Sequence, residues 1–181
     1  MNTLTFDIED WFHILDFEPT KDPSKWHSFE KRIDYGVNVI LDKLDEHNTN
    51  ATFFCLGWIG KRYPYVIKAI HERGHHIGSH GYNHQLVYEL NRKTFESDIK
   101  NSKFLLEDLV GDEIDAYRAP GFSITNEEKW AFEVLHDLGF RYDASIFGAP
   151  RGHGGYAGND FNKPFILKHG DKELIEFPMS Y

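Results

Sequence analysis

The run Thr52-Phe53-Phe54-Cys55-Leu56 is apolar after its first hydroxyl and too short for a helix. A strand of that kind is buried on both faces, which a parallel sheet with covering crossovers provides and a half-solvated antiparallel sheet does not. Strand-like and helix-like patterns alternate around it. Leu4 to Phe6 is β-prone and stops at the acidic cluster Asp7-Ile8-Glu9-Asp10. From about Ser28 to His47, Phe29, Ile33, Val37, Ile40, Leu41 and Leu44 recur at intervals of three and four, the stripe of a helix lying on a sheet. Tyr63 to Arg73 resumes that spacing, with Gly74 as its C-terminal cap. His76 to Ser79 predicts a third strand, and Thr94 to Leu109 a helix ended by Gly111. Ala116 to Ala119 predicts a fourth strand broken by Pro120-Gly121, and Thr125 with Glu128 a capping box opening a helix through Trp130, Val134, Leu135 and Leu138. Phe140 to Asp143 predicts a fifth strand, followed by a Gly-rich loop from Gly148 to Gly158 that holds His153. Phe165-Ile166-Leu167 and Glu173 to Phe177 then flank a hairpin signal at His169-Gly170-Asp171-Lys172. Four such alternations predict an α/β chain with a parallel sheet and right-handed crossovers, either open or curling into a (β/α) barrel.

A chain of 181 residues, 40% hydrophobic and 15% aromatic, suits one globular domain over 1–181. Its formal net charge of -9 argues against a nucleic-acid partner, because such proteins neutralise phosphates with clustered Lys and Arg. No segment approaches membrane-spanning length, and the first residues, Met1 to Asp7, have neither a basic region nor a long apolar core. The expectation is a cytoplasmic protein without membrane insertion. The single Cys55 excludes an internal disulfide and, within its apolar run, reads as a buried thiol.

The alternation also explains where the polar residues fall. Asp7, Glu9, Asp10, His80, His84, Arg118 and Asp143 all lie at or just beyond the C-terminal ends of predicted strands, the edge where parallel α/β folds carry their sites. His80 and His84 are four apart, so one turn of chain can aim both imidazoles at one point. The interval alone is a weak signal, since eleven histidines in 181 residues give roughly 0.7 such pairs by chance. Four separate strands converging on one rim is a much stronger one. Two imidazoles and one carboxylate make a three-ligand site with positions left open for water and substrate, as catalytic zinc sites do. A further carboxylate is then needed as general base, with an arginine to aim it, and Asp7 and Arg118 fit.

These residues carry a resemblance to the polysaccharide deacetylases with the NodB homology domain. Thr5-Phe6-Asp7-Ile8-Glu9-Asp10 resembles the first motif of that family, His80-Gly81-Tyr82-Asn83-His84 its His-Ser/Thr-x-x-His motif, and Arg118-Ala119-Pro120 its Arg-x-Pro motif. Asp7 to His13, Ala51 to Phe54 and Tyr142 to Ile146 are similar to the branch found with bacterial exopolysaccharide and O-antigen genes. The resemblance runs in order from Asp7 to about Pro178 and implies an incomplete or distorted (β/α) barrel. It implies a metal-dependent hydrolase removing an N-acyl group from an amino sugar in a cell-envelope polysaccharide or its precursor. Asp7 would be the base activating the attacking water, Arg118 would orient it, and the N–H of Gly121 would stabilise the oxyanion. His80 and His84 would bind a divalent metal, zinc in the first place, with cobalt or nickel as alternatives.

Two departures from the family pattern bear on the site. The usual adjacent aspartates are separated here by Ile8, so both Glu9 and Asp10 are available. Motif likeness favours Asp10 as third ligand, whereas the period-two geometry of a strand puts Glu9 on the face of Asp7. The second departure concerns the general acid, which in the family is a late-strand histidine; Asp143 resembles the residue that orients it. The sequence ends at Tyr181 before that motif. The readings are a chain lacking its C-terminal strands, substitution by a histidine such as His153, or a protein that binds sugar without turning it over. An allantoinase-type hydrolase of another C–N bond is a further alternative. The same count of strands predicts that the last parallel strand leaves an edge uncovered.

Overall fold

The computed structural model describes residues 3–156, 161 and 163–179. The last positions of the expected Gly-rich loop, 157 and 158, lie outside the described residues, as do the chain's first two and last two. Seven strands form one sheet: β1 (Thr5–Ile8), β2 (Thr52–Cys55), β3 (His76–Ser79), β4 (Ala116–Tyr117), β5 (Tyr142–Asp143), β6 (Phe165–His169) and β7 (Lys172–Glu176). The order is β1-β2-β3-β4-β5-β7-β6, parallel throughout except for the antiparallel β6–β7 hairpin. Among the described residues the sheet stays open, so the expected barrel is incomplete.

Five α-helices cross between strands: α1 (Ile33–Glu46), α2 (Gly57–Arg62), α3 (Pro64–Glu72), α4 (Arg92–Val110) and α5 (Trp130–Asp137). Strand order advances in one direction from β1 to β5, and right-handed crossovers that advance in one direction deposit their helices on the same face. The large core is accordingly on that face, where Ile8, Phe53, Cys55, Ile77 and Tyr117 meet Leu41, Ile67, Ile70, Phe95, Ile99 and Leu106. The opposite face carries only a small cluster of Phe54, Ala116 and Ala144, with Tyr142 and Phe177 against it. That lightly covered face is the one left for polar side chains.

Two expectations need correction, and one helix was not foreseen. The edge of β5 is not left uncovered, because β7 of the hairpin pairs with it in parallel, leaving β6 with its half-exposed Ile166 as the outer strand. The helix expected from Thr125 begins only at Trp130. Its Thr125–Glu128 contact exists, with Thr125 Oγ1 donating to Glu128 Oε2 at 2.6 Å, but it closes a local turn. Short α2 was not foreseen at all.

Candidate metal and catalytic site

Sheet register places the site. Ile8, Cys55, Ser79, Tyr117, Asp143 and Glu176 are successive register partners across six parallel strands. One residue further along each chain, the ladder continues through His80 N–H to Cys55 O at 2.9 Å and Arg118 N–H to Ser79 O at 3.0 Å. Glu9, His80 and Arg118 therefore stand in one row, and strand alternation turns that row toward the face of Asp7 and Phe54. Sheet parity, not proximity in sequence, assembles them.

Arg118 is buried at 3% exposure and clamped on several sides. Nη1 donates to Asp7 Oδ1 at 2.8 Å, Nη2 to Thr5 Oγ1 at 2.8 Å, and Nε to the Ala144 carbonyl at 3.2 Å. Its guanidinium lies 4.3 Å from the centre of the Phe54 ring, a cation–π contact in a desolvated setting. Asp7 is thereby held through one oxygen, while its Oδ2 lies 4.0 Å from His80 Nε2.

His80 Nδ1 is 2.8 Å from the Arg118 carbonyl oxygen. A carbonyl only accepts, so Nδ1 carries the hydrogen and Nε2 keeps a free lone pair. His84 Nε2 lies 3.1 Å from Glu9 Oε2, and the His13 backbone is close to the ring. Burial holds both imidazoles below the ordinary histidine range, so both are neutral donors. Burial and the neighbouring Asp7 charge push Glu9 up to about 8. Ligand atoms of Glu9, His80 and His84 lie within 4.8 Å of one another. Two neutral imidazole lone pairs beside a carboxyl that burial drives toward its protonated form are a donor set that fits a divalent metal, whose charge would keep that carboxylate ionised.

The carboxylate of this cluster is Glu9, not Asp10. Asp10 caps the 3₁₀ turn Trp11–His13, and its side chain accepts from Trp11 N–H at 2.9 Å, Arg32 N–H at 2.9 Å and Ile33 N–H at 3.1 Å. Its lone pairs tie the start of α1 to the end of β1. His84 has φ 54°, an uncommon value for a side-chain-bearing residue, and the loop before it is braced from α4. Asp98 there accepts from Tyr82 N–H at 2.7 Å and from Asn83 N–H. Behind the metal cluster, His13 packs among Phe12, Trp26 and Trp58, and burial pushes its imidazole down to about 3. Trp11 keeps 40% exposure, with Arg32 over its ring.

Asp143 has other partners than a histidine. Its Oδ1 accepts from Ser145 Oγ at 2.7 Å, and Ser145 Oγ accepts in turn from Ala119 N–H at 2.9 Å, so Asp143 braces the turn that holds Gly121. Glu176 completes this chain from β7 as the register partner of Asp143, and burial pushes both carboxyls up. Sequence reading passed over Glu176 and Asp98. Only Glu176 carried a local signal, since it shares the inward parity of Leu174 in an apolar strand.

The polysaccharide deacetylase family model matches residues 18–142, more than two thirds of the chain. The chain belongs to the polysaccharide deacetylase family. It is 38% identical over 95 residues to a peptidoglycan-N-acetylglucosamine deacetylase of Bacillus cereus, covering 52% of this chain and 34% of that protein. It is 29% identical over 136 residues to a peptidoglycan deacetylase of Helicobacter pylori, covering 75% and 42%. A Mycobacterium smegmatis structure assigned to the polysaccharide deacetylases superposes with a TM-score of 0.74 at 26% identity, over 99% of this chain and 58% of that one. The chain thus spans about a third to three fifths of the length of these relatives. Among its described residues, no helix is long and apolar enough to cross a membrane.

Proposed function

We propose that this polysaccharide deacetylase-family chain is a metal-dependent hydrolase that removes an N-acetyl group from an amino sugar of a cell-envelope polysaccharide or its precursor. The observation that carries the reading is the placement of Asp7, held by Arg118 on one oxygen, with its other oxygen 4.0 Å from the free nitrogen of His80 in a three-donor cluster. The names of the peptidoglycan deacetylases it resembles supply the class of substrate. The exopolysaccharide-associated branch, read from Asp7 to His13, Ala51 to Phe54 and Tyr142 to Ile146, is the finer part of the same proposal.

Glu9, His80 and His84 would hold the metal, zinc by the character of its donors. When bound, it supplies a Lewis acid that polarises the acyl oxygen and makes water a better nucleophile. The chain's residues do the rest. Asp7 Oδ2 takes a proton from the attacking water, and Arg118 prevents the carboxylate from swinging away or turning its second oxygen inward. As water adds to the acyl carbon, negative charge gathers on the acyl oxygen, and the Gly121 N–H, presented by the turn after Pro120, donates to it. That turn is fixed by the Ser145–Asp143 relay described above.

The test is elemental analysis of purified protein together with turnover of tetra-N-acetylchitotetraose, with allantoin as a second amide substrate. Stoichiometric zinc, cobalt or nickel with release of acetate supports the reading. Absence of stoichiometric metal after reloading, or turnover confined to allantoin, would reject it.

A further inference from the structure

Beside the metal cluster the chain builds a second concave surface that the chemistry above does not use. Lys31, Arg32, Asp34 and Tyr35, at the start of α1, line an open groove of about 380 Å³. Two short links join it to the reaction site. Trp11 follows Glu9 by two residues, so their Cα atoms stand within about 7 Å of each other. Asp10, between them, accepts from Arg32 N–H at 2.9 Å and Ile33 N–H at 3.1 Å, which pins the groove to the end of β1. Arg32 belongs to both surfaces: it lines the groove, and its guanidinium lies 5.7 Å from the centre of the Trp11 ring. The indole is fixed before anything binds, because Nε1–H donates to the Glu30 carbonyl at 2.9 Å and Phe12 and Phe29 meet it edge-on at 5.7 and 5.4 Å. It nevertheless keeps 40% exposure, and Tyr35 keeps 81%.

We propose that Trp11 and this groove form a subsite for a neutral sugar of the polymer, next to the sugar being deacetylated. The proposal rests on the N-deacetylase reading above and makes its substrate an oligomer, not a free amino sugar. The groove's charges cancel. Lys31 Nζ lies 2.5 Å from Asp34 Oδ2 and donates to Tyr65 Oη at 2.7 Å, Tyr65 Oη donates to Asp34 Oδ1 at 2.7 Å, and Arg32 pairs with Glu30 at 3.0 Å. Paired groups of this kind offer directed donors and acceptors without a net field, which suits a polyhydroxyl ligand better than a phosphate or a uronate. A pyranose has an apolar C–H face and a rim of hydroxyls. The face gains by covering the exposed indole, and the rim meets Arg32, Lys31 and Asp34, with Tyr35 placed for a further sugar. Because the indole is already held, little conformational freedom is lost when a sugar stacks on it. The groove is open, so a chain can continue past it, and deacetylation can take place within a polymer as well as at its end.

The experiment compares the zinc-loaded 181-residue chain with Trp11→Ala, Trp11→Phe and Tyr35→Ala on tetra-N-acetylchitotetraose and on N-acetylglucosamine. Trp11→Ala should lower kcat/KM for the tetramer by about tenfold through a rise in KM, so that the preference for tetramer over monomer falls in proportion. Trp11→Phe keeps an aromatic face and should stay within about threefold of wild type on the tetramer. Tyr35→Ala, at a surface position where folding is not at risk, should lower the same preference by about threefold. Equal losses on both sugars, or a fall in kcat at constant KM, would put Trp11 in the reaction site and overturn the subsite, as would a tetramer preference that neither alanine variant changes. Calorimetric binding of the tetramer to zinc-loaded Asp7→Asn, with and without Trp11→Ala, reads the subsite without turnover. If the wild-type chain releases no acetate but Trp11→Ala still weakens this binding about tenfold, the N-deacetylase reading fails and the sugar subsite stands. Tetramer binding that is absent, or indifferent to Trp11, overturns it.

Discussion

Asp143 and Glu176 face each other as register partners on β5 and β7, and both are buried, at 1% and 0% exposure. Burial pushes both carboxyls up and the charge of each disfavours ionisation of the other, so one of them keeps a proton. Burial and the Asp143 charge hold Glu176 well above the usual carboxylate range, so Glu176 is the one that keeps it. Its Oε1 accepts from Ile146 N–H at 3.0 Å, and Asp143 passes the constraint to Ser145 and the Gly121 turn. The hairpin thus reaches the Gly121 turn through Glu176 at Ile146 and through Asp143 at Ser145.

The folded chain binds a proton at Glu176 that the unfolded chain releases above its ordinary pKa of 4.5. The folded state binds more protons, so stability should fall as pH rises from that value toward the raised folded one. Glu176→Gln keeps a donor toward Asp143 and removes this titration. Urea unfolding between about pH 5 and 8 should then show a flatter dependence of stability on pH in the variant. The same slope in both proteins would place the proton elsewhere.

Glu9 and Asp10 separate by what their loss removes. Glu9→Gln should abolish stoichiometric zinc with little change in stability, since the side chain is a third exposed and its partner is His84. Asp10→Asn should keep the zinc and lose about 1–3 kcal/mol, because three backbone N–H groups lose their charged acceptor. Metal analysis and denaturant unfolding on the two variants check both halves; the opposite pattern would restore Asp10 as ligand.

Most of the sheet is legible in the sequence because its strands are short apolar runs ending in polar residues, and His80, His84, Arg118 and Asp7 stand at those ends. Motif likeness points to Asp10 and strand alternation to Glu9. In the structure it is Glu9 that gathers with His80 and His84, because β1 runs on through Ile8. α2 left no signal: Gly57 and Gly60 are poor helix formers, and a side chain at Gly57 would meet the Tyr82 ring at 2.5 Å, so close packing with a distant loop keeps the position small. Asp98 reaches Tyr82 across 16 residues, a distance over which spacing carries no information.

Asp7 and its neighbours also divide by role. Asp7→Asn should retain zinc while acetate release falls by about 10²–10⁴-fold, because an amide oxygen cannot take the water proton effectively and the donor cluster is untouched. Zinc content measured beside turnover decides it. Loss of the metal would make Asp7 a ligand.

Asp98 touches neither imidazole, yet it holds the N–H groups of Tyr82 and Asn83 in the loop that delivers His84 at φ 54°. Asp98→Ala should weaken zinc binding by about 10–100-fold, the usual cost of releasing a ligand's support. Competition with a chromophoric chelator measures it, and unaltered affinity would mean the loop is held by its other bonds, from Ser102 Oγ and Gly57 N–H to the Gly81 carbonyl and from Trp58 N–H to the Tyr82 carbonyl.

Gly121 tests the turn itself. Its φ of 61° lies in the left-handed region and is followed by Phe122 at 55°, so two consecutive residues reverse the chain after Pro120. A methyl group there would meet Leu15 Cδ1, Leu86 Cδ2 and His153 Cβ, each at 3.0 Å, tighter than packing tolerates without movement. The two leucine ends can yield, but His153 Cβ lies next to its own backbone. Gly121→Ala should therefore cost about 1–3 kcal/mol through strain and overpacking. It should also displace the N–H that meets the acyl oxygen, so acetate release should fall further than stability alone accounts for, by about 10²–10³-fold at temperatures where the variant is fully folded. Bound zinc should be unaffected, since Glu9, His80 and His84 stand on other strands. A variant that loses stability but turns over at the wild-type rate would leave the turn with a structural role only.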